Sequence, residues 1–133
     1  MTKVRGYIFS RPFMGERVPQ SVQNLVIRNY CNNEKLTLLL SATEYAMKNS
    51  DLMLFKVLNE LNKIDGIVAY SIYQLPESNS RRKFFFEKIL KDRKKIYFAL
   101  ERIALQNEKD IDEINILWNI KKTIPLCMSK NRY

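Results

Sequence analysis

The chain contains no histidine. Imidazole is the side chain that most readily moves protons near neutral pH, so acid–base work would fall to carboxylates, tyrosine, lysine or water. Cysteine is almost as scarce, with Cys31 and Cys127 alone in 133 residues. Two distant thiols without imidazole argue against a zinc site and make no disulfide framework. A cytoplasmic protein with free thiols, no metal and no cofactor is the expectation. No apolar run approaches the roughly 18 residues of a membrane span, and Met1–Arg5 lacks the apolar core of a signal peptide. Internal repeats, low-complexity tracts and linkers are missing as well.

What is present fits one globular unit. Hydrophobic residues make up 46% and charged residues 28% of the sequence, ordinary for a folded domain. We assign residues 1–128 to one α/β domain and Ser129–Tyr133 to a loose tail. The formal net charge is +9. That excess suits a negatively charged partner such as nucleic acid, a phosphorylated small molecule or a membrane surface; a merely soluble lysine-rich surface would look the same.

Apolar and polar stretches alternate along the chain. Val4–Phe9 is apolar on both faces, as a buried parallel strand should be. Pro19 stands where a helix can begin, and Val22, Leu25, Val26 and Tyr30 recur at helical spacing up to Asn32-Asn33. Leu36–Leu40 forms the second strand. Ser50-Asp51 offers an N-cap for a helix reaching about Lys63. Ile67–Ile72 is the third strand. Ser80 can cap a helix from Arg81 to about Asp92 that buries Phe85, Phe86, Ile89 and Leu90. Ile96–Leu100 is the fourth strand, and the acidic Asp110–Glu113 opens a last helix at its favourable dipole end.

This β-α-β-α-β-α-β-α order implies a three-layer α/β/α domain with a mainly parallel four-stranded sheet, in the order 2-1-3-4. The switch point would fall between strands one and three, and ligands of open α/β sheets bind beyond the carboxyl ends of the strands there. Three loops would meet at that point: Ser10–Gln20, Thr43–Tyr45 and Tyr73–Ser80. Together they supply Ser10, Arg11, Glu16, Arg17, Gln20, Gln23, Glu44, Tyr73 and Gln74 as candidate ligand-binding residues. Guanidinium groups grip phosphate or carboxylate bidentately, so Arg11 and Arg17 would hold an anion while the amides and Ser10 read hydroxyls. If chemistry occurs, Ser10, Glu44 and Tyr45 are its candidates. Whether the site is catalytic or only binding stays open, as does the reading in which Arg11–Glu16 and Arg17–Glu44 pairs merely order loops.

The strand–serine–polar loop–helix opening resembles the catalytic domain of serine recombinases, the resolvase/invertase family, over roughly Arg5 to Lys122. Ser10 stands in the place of that family's nucleophile, Gln20–Asn24 resembles its glutamine-rich first helix, and Ser71–Glu77 resembles its Asp-Arg-Leu segment. The resemblance implies the fold without recombination chemistry. The family's arginine two places before the serine is Ile8, its Asp-Arg pair is Tyr73-Gln74, and its second arginine is Glu77, whereas a pentacoordinate phosphate needs clustered positive charge. No recombinase DNA-binding domain is expected after the last helix.

Three segments, Tyr7–Gln20, Ser41–Met47 and Tyr70–Pro76, are similar to the bacterial family of sporadic carbohydrate cluster proteins. That resemblance implies a role in surface-polysaccharide biosynthesis, such as capsule or lipopolysaccharide, and no defined reaction. A nucleotide sugar, a sugar phosphate or another anionic small molecule is then the expected partner.

Two other readings compete. Arg81-Arg82-Lys83 with Lys88, Lys91, Arg93, Lys94 and Lys95 would form a salt-sensitive nucleic-acid footprint. Phe84 and the apolar Ile116, Trp118 and Ile120 exceed what one core-facing stripe uses, which points to an interaction module and a homo-oligomer assembled on the last helix.

Overall fold

The computed structural model describes residues 2–12, 17–47 and 49–131, with side chains described as far as Ile120. Strand β1 spans Lys3–Phe9, β2 Thr37–Glu44, β3 Gly66–Ala69, β4 Lys95–Phe98 and β5 Ile103–Leu105. Helix α1 spans Gln20–Asn33, α2 Leu52–Leu58, α3 Asn79–Lys91 and α4 Glu108–Asn131, and one 3-10 turn covers Ile72–Gln74. The sheet order is β2-β1-β3-β4-β5. The first four strands pair in parallel, with Phe9 opposite Glu44 and Tyr7 opposite Ala69.

The expected order of four strands is therefore present, with a fifth added. β5 returns antiparallel along β4, pairing Phe98 with Ile103. It is three residues long and follows a tight turn in which Arg102 takes a positive φ of 57°. A strand that short carries no period to detect, which is why sequence patterning passes over it.

Helices α2, α3 and α4 bury one face of the sheet around Phe85, Ile67, Ile96, Ile114 and Trp118. On the other face α1 packs Ile27, Tyr30 and Cys31 against Val4, Val68 and Tyr97. The face of α1 differs from the expected one. Gln23, Ile27, Tyr30 and Cys31 are inside, while Val22 and Leu25 are 41% and 64% exposed. The helix is rotated because the amide of Gln23 is drawn into the sheet, and a pattern built from apolar residues cannot anticipate a buried glutamine.

Helix ends shift for equally local reasons. The carboxylate of Asp51, expected to cap α2, is held instead by Arg81 at 2.6 and 2.8 Å. Regular α-helix then stops at Leu58, and the chain turns on to Lys63 through tighter bonds such as Glu60 N–H to the Val57 carbonyl. Helix α3 starts two residues before the expected Arg81, with Ser78 rather than Ser80 accepting the Arg81 N–H. Helix α4 opens at Glu108, where the Asn107 side chain accepts the N–H groups of Lys109 and Asp110. Its backbone runs through Asn131, into the segment expected as a tail. No helix among the described residues is long and apolar enough to cross a membrane.

The close approach of β3 and β4 depends on Gly66. A Cβ there would lie 2.5 Å from the Lys95 carbonyl oxygen, and a backbone oxygen locked in a parallel ladder cannot step aside. The sheet can thus draw tight beside β1, whose carboxyl end carries the cluster described next.

Candidate binding site at the strand ends

Gln23 organises the point where β1 and β3 diverge. Its Oε1 accepts the Phe9 N–H at 2.8 Å, and its Nε2 donates to the Phe9 carbonyl at 2.9 Å and to the Val18 carbonyl at 2.8 Å. The amide thus occupies the place of a further strand residue beside Phe9. Gln74 completes it, donating to Gln23 Oε1 at 2.8 Å while its own Oε1 accepts the Tyr70 N–H at 3.1 Å. Both glutamines are buried. An amide offers two donors and an acceptor with two lone pairs, so Gln23 is fully used within the protein. The switch-point crevice is filled by these side chains.

Glu44 is buried at the end of β2 and accepts five hydrogen bonds. Oε1 takes the Tyr7 hydroxyl and the Leu54 N–H, and Oε2 takes the Tyr45 N–H, the Ser50 hydroxyl and the Met53 N–H, at 2.8–3.2 Å. Two of these donors belong to the first turn of α2, whose amide groups have no intrahelical partner. Burial works to raise the Glu44 pKa, yet the bonds from Met53, Tyr7, Ser50 and Tyr45 outweigh it, and the carboxyl lies below its usual value. Burial and the neighbouring Glu44 charge push the Tyr7 phenol far up, so it remains a donor. Glu44 is consequently a fixed anion that anchors α2. A carboxylate so satisfied makes a poor general base at neutral pH.

Ser10 and Arg11 follow directly. The Ser10 hydroxyl donates to the Glu44 carbonyl at 2.7 Å, so its proton is directed at a peptide oxygen and not at a base. Arg11 lies over the Phe9 ring at 4.1 Å and donates one N–H to the Tyr45 carbonyl at 3.0 Å, which leaves further donors on its fork. The Tyr45 ring is half exposed beside it. Arg17 and Gln20 are exposed. Glu16, and with it the expected Arg11–Glu16 pair, lies outside the described residues.

Tyr73 stands apart from this group. Its hydroxyl donates to the Leu117 carbonyl at 3.0 Å and its ring lies 5.7 Å from that of Trp118, so it docks α4 onto the 3-10 turn. The fold therefore gathers Ser10, Arg11, Gln23, Glu44, Tyr45 and Gln74 and directs Tyr73 elsewhere. Sequence reasoning missed Tyr7 and Ser50 as Glu44 partners. It also missed Glu101, which accepts the Ser71 hydroxyl at 2.7 Å and the Ile72 N–H at 2.9 Å. A tyrosine in a strand reads as core, and nothing local distinguishes one that also donates to a carboxylate.

Three of the eight cations of the expected basic footprint are engaged within the protein, and Lys83, Lys91, Arg93 and Lys95 are exposed. Arg81 pairs with Asp51 and lies 4.5 Å over Phe55, Arg82 is buried, and Lys88 pairs with Asp92 at 3.2 Å. These engagements take Arg81, Arg82 and Lys88 out of the footprint, because counterion-releasing contacts need free cations on one exposed face.

No family model and no curated protein matches the chain. Solved structures do. The N-terminal catalytic domain of TP901-1 integrase superposes with a TM-score of 0.59 at 13% identity, covering 97% of this chain and 99% of that one. A resolvase family site-specific recombinase from Streptococcus pneumoniae gives 0.63 at 7% identity, covering 98% and 99%. With β2-β1-β3-β4 in parallel order under flanking helices, this chain has the fold of a resolvase-type recombinase catalytic domain, and the likeness extends to the fold alone.

Proposed function

We propose that the chain is a non-recombining, cytoplasmic binding module of bacterial surface-carbohydrate biosynthesis, holding an anionic or sugar-derived small molecule over the carboxyl ends of β1 and β2. The observation that carries this reading is convergence. The three segments that resemble sporadic carbohydrate cluster proteins, far apart in sequence, meet there: Ser10–Glu44 and Arg11–Tyr45 hydrogen bonds join the first two, and Gln23, just beyond the first, bridges its Phe9 to Gln74 of the third. With Glu44, Gln23 and Gln74 committed internally, the groups left for a ligand are Arg11, Arg17 and Tyr45. They bind anions and stack on rings, and they lack a base, so we favour binding over catalysis.

A thermal-shift series with a nucleotide sugar, a sugar phosphate and a short DNA duplex tests this. A ligand at about 100 times its Kd stabilises a protein by ~2.7 kcal/mol, a shift of several degrees here. We expect that shift with a sugar-derived anion and its loss in Arg11→Ala. Stabilisation by DNA alone would replace this reading with the nucleic-acid one, and no stabilisation by any sugar-derived anion would end it.

A second reading, self-association, has its own observation. Ile116 and Ile120 on α4 are 59% and 50% exposed, one helical turn apart and turned away from the buried Ile114 and Trp118. Ile116→Lys with Ile120→Lys should convert a dimer to a monomer by light scattering. A wild-type monomer at high concentration would exclude it.

A further inference from the structure

A groove of about 880 Å³ runs between α3 and α4, and it shares no residue with the strand-end cluster. At one end lies Arg82, 4% exposed. Its guanidinium donates to the Pro76 carbonyl at 2.9 Å, the Glu77 carbonyl at 3.3 Å, Asn79 Oδ1 at 2.5 Å and Asn115 Oδ1 at 3.4 Å, and it lies 4.7 Å over the Trp118 ring. An arginine carries five N–H donors. Four are met, all by neutral oxygens, and the fifth, on Nη2, has no acceptor among the described residues. Desolvation alone pulls the Arg82 pKa down, which agrees with a buried cation lacking a compensating carboxylate. Such a charge is costly unless paired.

We propose that this groove binds an organic carboxylate with an apolar body, its head group on Arg82 and its body along the floor. Phe86, Leu90 and Ile111 form that floor, and the volume lies within the range of small-molecule pockets. The amides of Asn79 and Asn115 flank the head-group position. The rim selects the charge. With Arg82, Lys83 and Lys91 against Glu87, Glu108 and Asp112 the lining has no excess of positive charge, so a dianionic phosphate finds no second counter-charge while a single carboxylate at Arg82 meets its one missing partner. One free N–H also suits a carboxylate oxygen better than the several acceptors of a phosphate.

Trp118 is the sole tryptophan and lies directly beneath the guanidinium, so its fluorescence reports the site. The full chain is titrated with 4-phenylbutyrate, with the neutral 4-phenylbutyramide and with inorganic phosphate. The expected result is a saturable change with the carboxylate and none with phosphate or the amide. Arg82→Lys should remove it. Because that variant can lose stability, Asn119→Asp serves as the second, since Asn119 is exposed one turn beyond Asn115. The added negative charge should weaken the carboxylate about tenfold. Equal responses to carboxylate and amide, no response to the carboxylate, or undiminished binding in Asn119→Asp would each overturn the proposal.

Discussion

Gln23→Leu should lower the unfolding free energy by about 4 kcal/mol, although leucine matches the volume and is more apolar. The substitution removes the Gln23 partner of the Val18 carbonyl and of the Gln74 amide, and strips two bonds from the backbone of Phe9. A buried polar group deprived of its partner costs about 1–3 kcal/mol, and four are affected. Relaxation that admits water recovers part of this and leaves about 1 kcal/mol for each. Urea denaturation is the measurement, with Gln20→Leu on the exposed start of the same helix as the control. A loss below about 1 kcal/mol would mean that the end of β1 is held by its strand neighbours and that the glutamine bridge is incidental.

Glu44→Gln should cost about 3 kcal/mol at neutral pH and should also change the shape of the acid limb. Five donors converge on the carboxylate. An amide replaces one acceptor oxygen with an NH2 group that faces two or three of them donor to donor, and it removes the negative charge from the start of α2. The pH dependence follows from the depressed carboxyl pKa. In the unfolded chain the group titrates near 4.5, and in the folded protein it titrates lower. Between those values the unfolded state binds more protons, so stability rises with pH across the interval. The Glu44 contribution is therefore complete above about pH 4.5 and is lost as the pH falls through the folded value. Wild type and Glu44→Gln should differ most at neutral pH and converge in acid. Unfolding curves for both proteins at several pH values decide it, and a constant difference down to strong acid would show that Glu44 is not held as an anion.

These two results bear on the function as well as the fold. Gln23 and Glu44 fix the ends of the segments that carry Arg11 and Tyr45. The ligand site proposed there would be preformed by groups that never touch the ligand, which reduces the ordering cost of binding. Arg11→Ala should spare stability and abolish binding, whereas Gln23→Leu should damage both. The contrast separates residues that meet a ligand from residues that place them.

Sequence alone determined the class of fold and the order of the four parallel strands, because strands buried on both faces and helices spaced between them leave a distinctive alternation. Ile67 and Val68 point to opposite faces and both are buried, so β3 reads as apolar throughout. The start of α1 at Gln20 was legible from Pro19, whose fixed φ suits the residue just before or inside a first turn. Sequence also brought Ser10, Glu44 and Gln74 to one end of the sheet, since parallel order places successive carboxyl ends together.

The roles of those residues were decided by tertiary structure. A glutamine, a glutamate and a serine near a switch point have the same letters whether they face a ligand or one another. Only the pairing of Phe9 with Glu44, and the rotation of α1 that turns Gln23 inward and Leu25 outward, commits them to backbone and to each other. Arg82 passed from an exposed footprint to a buried cation for the same reason. A helical pattern gives the spacing of side chains, but which face turns inward is settled by the partners across the interface, and these lie more than thirty residues away at Asn115 and Trp118.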